Sequence, residues 1–222
     1  MLKKLRKELI IIAVSLLIGT AAALISSFMY SEKVQAGIAN SVIRFHVLAN
    51  SDSMSDQNLK LAVRDRILEE YSAQLGGGNS LEQSREFLLG NLQEIKTCAE
   101  EVLRANGSGD SVSVSLGKTF FPTKTYGDIA FPAGNYEALK IEIGEAAGQN
   151  WWCVMFPPLC FVDITHSATT DELKTDLAEI LTNEEYDIVV KAKAEELFPV
   201  KIKFKVVEFW QEIQQPEMYA KK

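Results

Sequence analysis

The sequence predicts an α+β protein, in which an N-terminal apolar helix precedes one mixed domain of helices and a small sheet. Three observations support this fold class. Residues 9–31 form an uncharged stretch of membrane-spanning length. Further along the chain, some segments repeat apolar residues at every second position and others at every third or fourth, which indicates strands and helices respectively. These strand and helix segments are partly segregated instead of strictly alternating.

The N-terminal stretch has the features of an export signal or a membrane anchor. Its helix would span a hydrocarbon core of about 30 Å, and four basic residues precede it (Lys3, Lys4, Arg6 and Lys7) against Glu8 alone. The positive-inside rule therefore keeps the N-terminus in the cytoplasm and sends the remaining chain outside. An uncleaved anchor fits the length. A cleaved signal peptide is the alternative, with small residues at 21–23 or in Val34-Gln35-Ala36.

The rest of the chain divides into three parts. Residues 32–40 are expected to be a linker, residues 41–163 an α+β domain, and residues 164–222 a helical extension. The extension has helical spacing near 170–182 and 184–198. Its final segment, residues 200–214, suits either a strand or a helix.

The first half of the domain predicts one strand and two helices. The strand covers residues 41–50, which are rich in β-branched and aromatic side chains. Ser53 and Asp56 have capping-box spacing and begin a helix that ends near residue 75, before three glycines. Ser80 and Gln83 have the same spacing and begin a helix that continues to Asn106-Gly107. Cys98 lies on its apolar side and is expected to be buried.

The second half predicts strands. Residues 111–116 alternate apolar side chains with serines, and Leu139, Ile141 and Ile143 alternate with charged residues. Between these strands, residues 120–134 are rich in proline, glycine and aromatic residues, which favours an ordered loop.

Charge excludes one class of function. The net charge of −7 is the sum of +3 in residues 1–31 and −10 in the remainder. The exported part has no basic surplus with which to displace counterions from a phosphate backbone, so nucleic acid is not its partner.

Residues 150–162 are the most unusual stretch of the sequence. Most of this apolar run reads as a buried strand, whereas Trp151 and Trp152 also suit a protein interface. If the chain folds back at Phe156-Pro157, Cys153 lies opposite Cys160 at a distance that a disulfide tolerates. An exported location permits that bond, although the two prolines prevent a regular tight hairpin. The disulfide and two free thiols are both open on this reasoning.

No catalytic or metal site is predicted. A cysteine nucleophile needs a histidine within reach, and nothing in the sequence ties Cys153 to His46 or His166. No histidine or cysteine pair has metal-ligand spacing. Asp52 and Asp56 lack the glycine and glutamate of a calcium loop, and helix capping explains their surroundings better. We therefore expect no enzyme activity, no cofactor and no small-molecule substrate.

Several ordered motifs resemble the stage II sporulation protein R family over residues 42–163. They comprise residues 43–53, Asp56-Gln57, Leu59-Lys60 and Val63-Arg64-Asp65, then Phe121-Pro122-Thr123-Lys124 with Tyr126-Gly127, then Pro132-Ala133-Gly134 with Tyr136, Ala138 and Leu139, and finally residues 150–160. The last run is the strongest match. Phe45 and His46 stand where members of the family vary, which also argues against catalysis by His46.

The resemblance implies a signalling protein of endospore-forming bacteria. Such a protein is exported from the forespore into the intermembrane space and activates a membrane-embedded aspartic protease, which cleaves the precursor of the mother-cell sigma factor. Motif membership and polarity select eight candidate contacts for that protein receptor: Asn50, Asp52, Arg64, Asp65, Lys124, Tyr126, Trp151 and Trp152. Arg64 and Asp65 are adjacent, so they are expected to point apart on their helix. An exported envelope hydrolase and a structural envelope protein are the alternatives.

Overall fold

The computed structural model describes residues 2–75, 79–161 and 171–190 and confirms the α+β class. In chain order, the elements are α1 (Leu2–Asn40), β1 (Ile43–Leu48), α2 (Met54–Leu75), α3 (Leu81–Gly90), α4 (Leu92–Ala105), β2 (Val112–Phe121), β3 (Lys124–Tyr126), β4 (Ile129–Phe131), β5 (Gly134–Ile143), β6 (Asn150–Phe156), a short 3-10 turn (Leu159–Phe161), α5 (Asp171–Ile180) and α6 (Asn183–Val190).

The centre of the domain is a four-stranded mixed sheet in the order β2-β5-β1-β6. β1 runs parallel to β5 and antiparallel to β6, and β2 is antiparallel to β5. Because side chains alternate along a strand, Phe45 and Val47 share one face with Trp151 and Cys153. This face packs toward α2 and α4, and we call it the helical face.

The opposite face of the sheet carries Arg44, His46 and Trp152. It packs against the C-terminal part of α1 and against the small antiparallel pair of β3 and β4. We call it the aromatic face. The two faces together bury one continuous apolar core that includes residues from α1 to α6.

The structure changes the expected boundary at residues 32–40. This segment is helical and continues α1, whereas the sequence suggested a linker. Val34 and Ile38 are buried, and they lie one helical turn apart on the side that packs against the domain. The polar neighbours of these residues obscured that spacing in the sequence. Among the described residues, α1 is the helix long and apolar enough to cross a membrane.

Two other elements differ from expectation. The single helix predicted from Ser80 is two helices, because Gly90 disfavours helix and the Asn91 side chain bonds to the Phe87 carbonyl oxygen. The Ser80–Gln83 capping box is present as predicted. The expected loop at 120–134 contains the β3–β4 pair. In the C-terminal part, residues 191–222, including the ambiguous segment 200–214, lie outside the described residues.

Candidate receptor-binding site

A polar network joins the end of β1 to the start of α2. Asn50 Nδ2 donates to Asp56 Oδ2 over 3.0 Å, and Ser51 Oγ donates to the same oxygen over 2.5 Å. The Asn50 carbonyl oxygen Oδ1 accepts from the backbone amide of Glu145 at 2.9 Å. Hydrogen bonds from Ser51 and Asn50 hold the pKa of Asp56 below its usual range. The Asp56 carboxylate therefore holds the conformation of the chain between β1 and α2.

Lys60 extends this network beneath the surface. Its ammonium donates to Gln57 Oε1 at 2.6 Å and to the Gln149 carbonyl oxygen at 3.1 Å. The Gln57 side chain in turn donates to the Ser51 carbonyl oxygen. Burial and the nearby charge of Arg64 lower the pKa of Lys60. We call Asn50, Ser51, Asp56, Gln57 and Lys60 the β1–α2 corner.

Arg64 and Trp151 form a preorganised pair beside the corner. The Arg64 guanidinium carbon lies 5.0 Å from the centre of the Trp151 ring, a cation–π distance. Arg64 also binds Asp65 Oδ1 through Nε at 2.7 Å, so these neighbours do not point apart as expected. The long Arg64 side chain reaches the Asp65 carboxylate while its guanidinium stays over the Trp151 ring. The Trp151 ring also contacts the Phe45 ring edge-on.

Trp152 occupies a different environment on the aromatic face. Its ring stacks on His46 with centroids 3.8 Å apart and contacts Phe121 edge-on at 4.7 Å. Its backbone carbonyl oxygen accepts a hydrogen bond from the Tyr126 hydroxyl. Trp152 is therefore engaged mainly with the interior of the domain.

Sequence reasoning missed Arg44, which organises the aromatic face. Arg44 is completely buried, and its guanidinium carbon lies 4.3 Å from the Phe121 centroid, with the rings of Tyr126, Phe131 and Tyr136 within 5.9 Å. Its Nε donates to the Cys153 carbonyl oxygen and its Nη2 to the Tyr126 hydroxyl. The signal available in the sequence was a basic residue within a mainly apolar strand. These contacts tie β1 to β6 and to the β3–β4 pair.

The eight candidate contacts therefore separate into groups. Five lie together on one side of the domain, at the corner and on the helical face: Asn50, Asp52, Arg64, Asp65 and Trp151. Tyr126 is buried and bonded to Arg44, which removes it from the surface candidates. Lys124 lies on β3, which packs on the aromatic face, and Trp152 of β6 lies on the same face. These two residues are apart from the five candidates at the corner and on the helical face.

The sheet separates Cys153 from His46. Cys153 and Cys160 are joined as a disulfide, with Cα atoms 5.8 Å apart, and the chain returns through the 3-10 turn. Cys98 is buried and free. His46 points to the aromatic face, where its Nε2 lies 2.9 Å from Asn150 Oδ1. Burial lowers the pKa of His46 to about 3, so its ring is neutral at physiological pH.

Among the described residues, Cys153 and His46 do not form a nucleophile–base pair. Cys153 points to the helical face and His46 to the opposite one, and His166 lies outside the described residues. No group of three or more histidine, cysteine or acidic residues that could hold a metal ion occurs within the described ranges. What the site does offer is a rigid aromatic–guanidinium pair beside a hydrogen-bonded corner, a combination suited to protein recognition.

Comparisons with known proteins now decide the family. The family described as stage II sporulation protein R matches residues 39–166, more than half of the chain. The chain belongs to this family. A curated relative, stage II sporulation protein R of Bacillus subtilis (strain 168), is 37% identical over 194 residues, which cover 85% of this chain and 87% of that protein. No solved structure matches the chain. Family membership supports a role in sporulation, and the family name is not that of an enzyme.

Proposed function

We propose that this protein is an exported sporulation signal that activates a membrane-embedded aspartic protease, which then cleaves the precursor of the mother-cell sigma factor. The observation that carries the proposal is the Arg64–Trp151 pair, which stands beside the β1–α2 corner on the helical face. Both side chains are partly exposed. Membership of the stage II sporulation protein R family supports the sporulation context. The geometry of the Arg64–Trp151 pair supports action by binding to a receptor.

The pair suits an interface for energetic reasons. Tryptophan and arginine are the residue types that most often dominate binding energy. Arg64 is already held by Trp151 and Asp65, so less side-chain entropy is lost when a partner binds. Binding that favours the active arrangement of the receptor shifts the receptor population toward that arrangement. The chain acts in this proposal as a ligand and performs no chemistry.

An exported envelope hydrolase gains no support from the geometry. That function needs converging catalytic groups, and Cys153 and His46 lie on opposite faces of the sheet. A structural envelope protein predicts association with the cell wall and no effect on sigma-factor processing. Both alternatives are therefore decided by the same genetic measurement.

The test is a deletion strain in which cleavage of the sigma-factor precursor is followed by immunoblot. Expression of the full chain should restore cleavage, whereas a chain that lacks residues 1–31 should not, because it is not exported. Arg64→Ala should lose most of the cleavage at wild-type abundance. Arg66→Ala is the matched control, since Arg66 lies on the same helix but pairs with Glu70. Normal cleavage in the deletion strain would refute the function, and normal cleavage in Arg64→Ala would refute this binding surface.

A further inference from the structure

The membrane helix enters the domain core without a spacer. Ser31, the last residue of the uncharged stretch, is already buried. Val34, Ile38 and Ala39 follow at helical spacing and are also buried. The first packed residue of the domain therefore coincides with the outer end of the apolar span.

Two close approaches fix this part of α1 against its neighbours. The Gln35 side-chain amide lies against Gly134 at the start of β5, where it would meet a Cβ atom. The Glu185 carboxylate of α6 lies against Gly37 of α1 in the same way. The Tyr30 hydroxyl also donates to the Glu184 carboxylate. The C-terminal part of α1 therefore contacts β5 on one side and α6 on the other.

The two possible cleavage sites would have different consequences for this part of the molecule. Cleavage after Ala36 would remove Val34 and Gln35, which form part of the contact with the domain. Cleavage after Ala23 would instead leave a chain that begins with exposed apolar residues. Leu24, Ile25 and Met29 are each at least 60% exposed on the described domain, and lipid is the environment that would cover them.

The same contacts define which end of the domain faces away from the membrane. Gln35 meets Gly134 at the first residue of β5, and Asn50 binds the amide of Glu145 just beyond the last residue of β5. β5 contains 10 residues, so these two points are separated by about 30 Å along the sheet. The β1–α2 corner therefore lies at the end of β5 opposite the contact with α1.

We propose that the N-terminal helix is retained as a rigid stalk, in which residues 30–39 join the membrane span to the domain core and hold the β1–α2 corner at the membrane-distal end. This proposal about topology does not depend on the proposed function. If the receptor interface is at the corner, the stalk presents it outward at a fixed orientation.

The first test determines the N-terminus of the full chain, carrying a C-terminal tag, after purification from membranes of sporulating cells. Intact mass and N-terminal sequencing should give a chain that retains residues 1–31 and leaves the membrane only in detergent. An N-terminus at Leu24 or Gly37 would overturn the proposal. This result is independent of sigma-factor cleavage, so its failure and that of the proposed function are distinguishable.

The second test measures orientation in phosphatidylcholine vesicles that contain headgroup-spin-labelled lipid. Single fluorescent labels are placed on full-length Lys33→Cys and Asp52→Cys variants, with the unsubstituted chain as the labelling control. Fluorescence should be quenched at residue 33, and residue 52 should match its value in vesicles without spin label. Equal quenching at both positions would show that the domain is not held upright by the stalk.

Discussion

Trp151 and Trp152 are adjacent in sequence but lie on opposite faces of one strand, and their surroundings differ accordingly. Trp151 contacts Arg64 and Phe45 on the helical face, beside a polar corner. Trp152 is stacked on His46 and packed against Phe121 on the aromatic face. Adjacent residues of one motif therefore have different neighbours: Trp151 lies beside a partly exposed arginine, and Trp152 fastens the sheet to the structures beneath it.

The two faces also use arginine differently. Arg64 is partly exposed and pairs with the Asp65 carboxylate. Arg44 is completely buried among four aromatic rings, and its described hydrogen bonds go to a carbonyl oxygen and a hydroxyl. We therefore expect substitutions on the aromatic face to affect stability first, and substitutions on the helical face to affect signalling first.

Arg44→Ala should produce the largest loss of stability. The change removes two hydrogen bonds and leaves a cavity among the rings, at a cost of about 3 kcal/mol. Urea unfolding of the detergent-solubilised full chain, followed by circular dichroism, measures the change. Arg44→Lys should rescue stability poorly because an ammonium cannot reproduce the guanidinium fork. Wild-type stability in Arg44→Ala would remove the distinction between the two faces.

Trp152→Ala should cost more stability than Trp151→Ala. We expect losses of about 3 and about 1 kcal/mol respectively, because the Trp152 ring packs on two aromatic rings of the domain, whereas one of the two Trp151 contacts is to the partly exposed Arg64. The same unfolding measurement ranks the two variants. Trp152→Phe, which keeps an aromatic ring, should lie between Trp152→Ala and the wild type. A reversed order would show that Trp151 is the structural member of the pair.

Opening the Cys153–Cys160 link should have a smaller effect, about 2 kcal/mol, because its loop is short. Cys153→Ser and Cys160→Ser should have similar effects, and the double variant should be no worse than either single one. Alkylation of the unreduced, unfolded protein should modify Cys98 alone, with three thiols modified after reduction. Three modified thiols before reduction would contradict the disulfide.

His46 should give the aromatic face a gradual pH dependence. Its pKa falls from 6.5 to about 3 on folding, so the unfolded chain binds more protons between these values. Stability should therefore be greatest above pH 6.5 and decline as the pH falls toward 3, by up to about 1.4 kcal/mol per pH unit. Urea unfolding between pH 4 and 7 should show a slope that His46→Gln reduces. An unchanged slope would assign the effect to other groups.

The sequence predicted the features that depend on local pattern. The apolar span, the first strand, the cap at Ser80 and burial of Cys98 all follow from spacing or composition, and the structure agrees. The packed segment at 32–40 was missed because its apolar residues touch strands far along the chain. The role of Arg44 was missed for the same reason, since its aromatic contacts come from β2 to β5.

Part of the candidate site was also predictable. Motif membership drew attention to Trp151 and Arg64, but it could not show that their side chains meet, because the packing of α2 beside β6 brings them together. Motif membership and polarity selected Tyr126 as a candidate contact, whereas tertiary structure buries its ring and uses its hydroxyl internally. Receptor binding by the partly exposed Arg64 and Trp151 stays a prediction.

The most direct test of the two-face account compares sigma-factor precursor cleavage in sporulating strains that carry Trp151→Ala or Trp152→Phe. Immunoblots of the membrane fraction first establish equal abundance of the exported variants. The account predicts that Trp151→Ala loses cleavage, since the partner loses its aromatic anchor, while Trp152→Phe retains cleavage because its fold persists. Normal cleavage in Trp151→Ala at wild-type abundance would contradict the account.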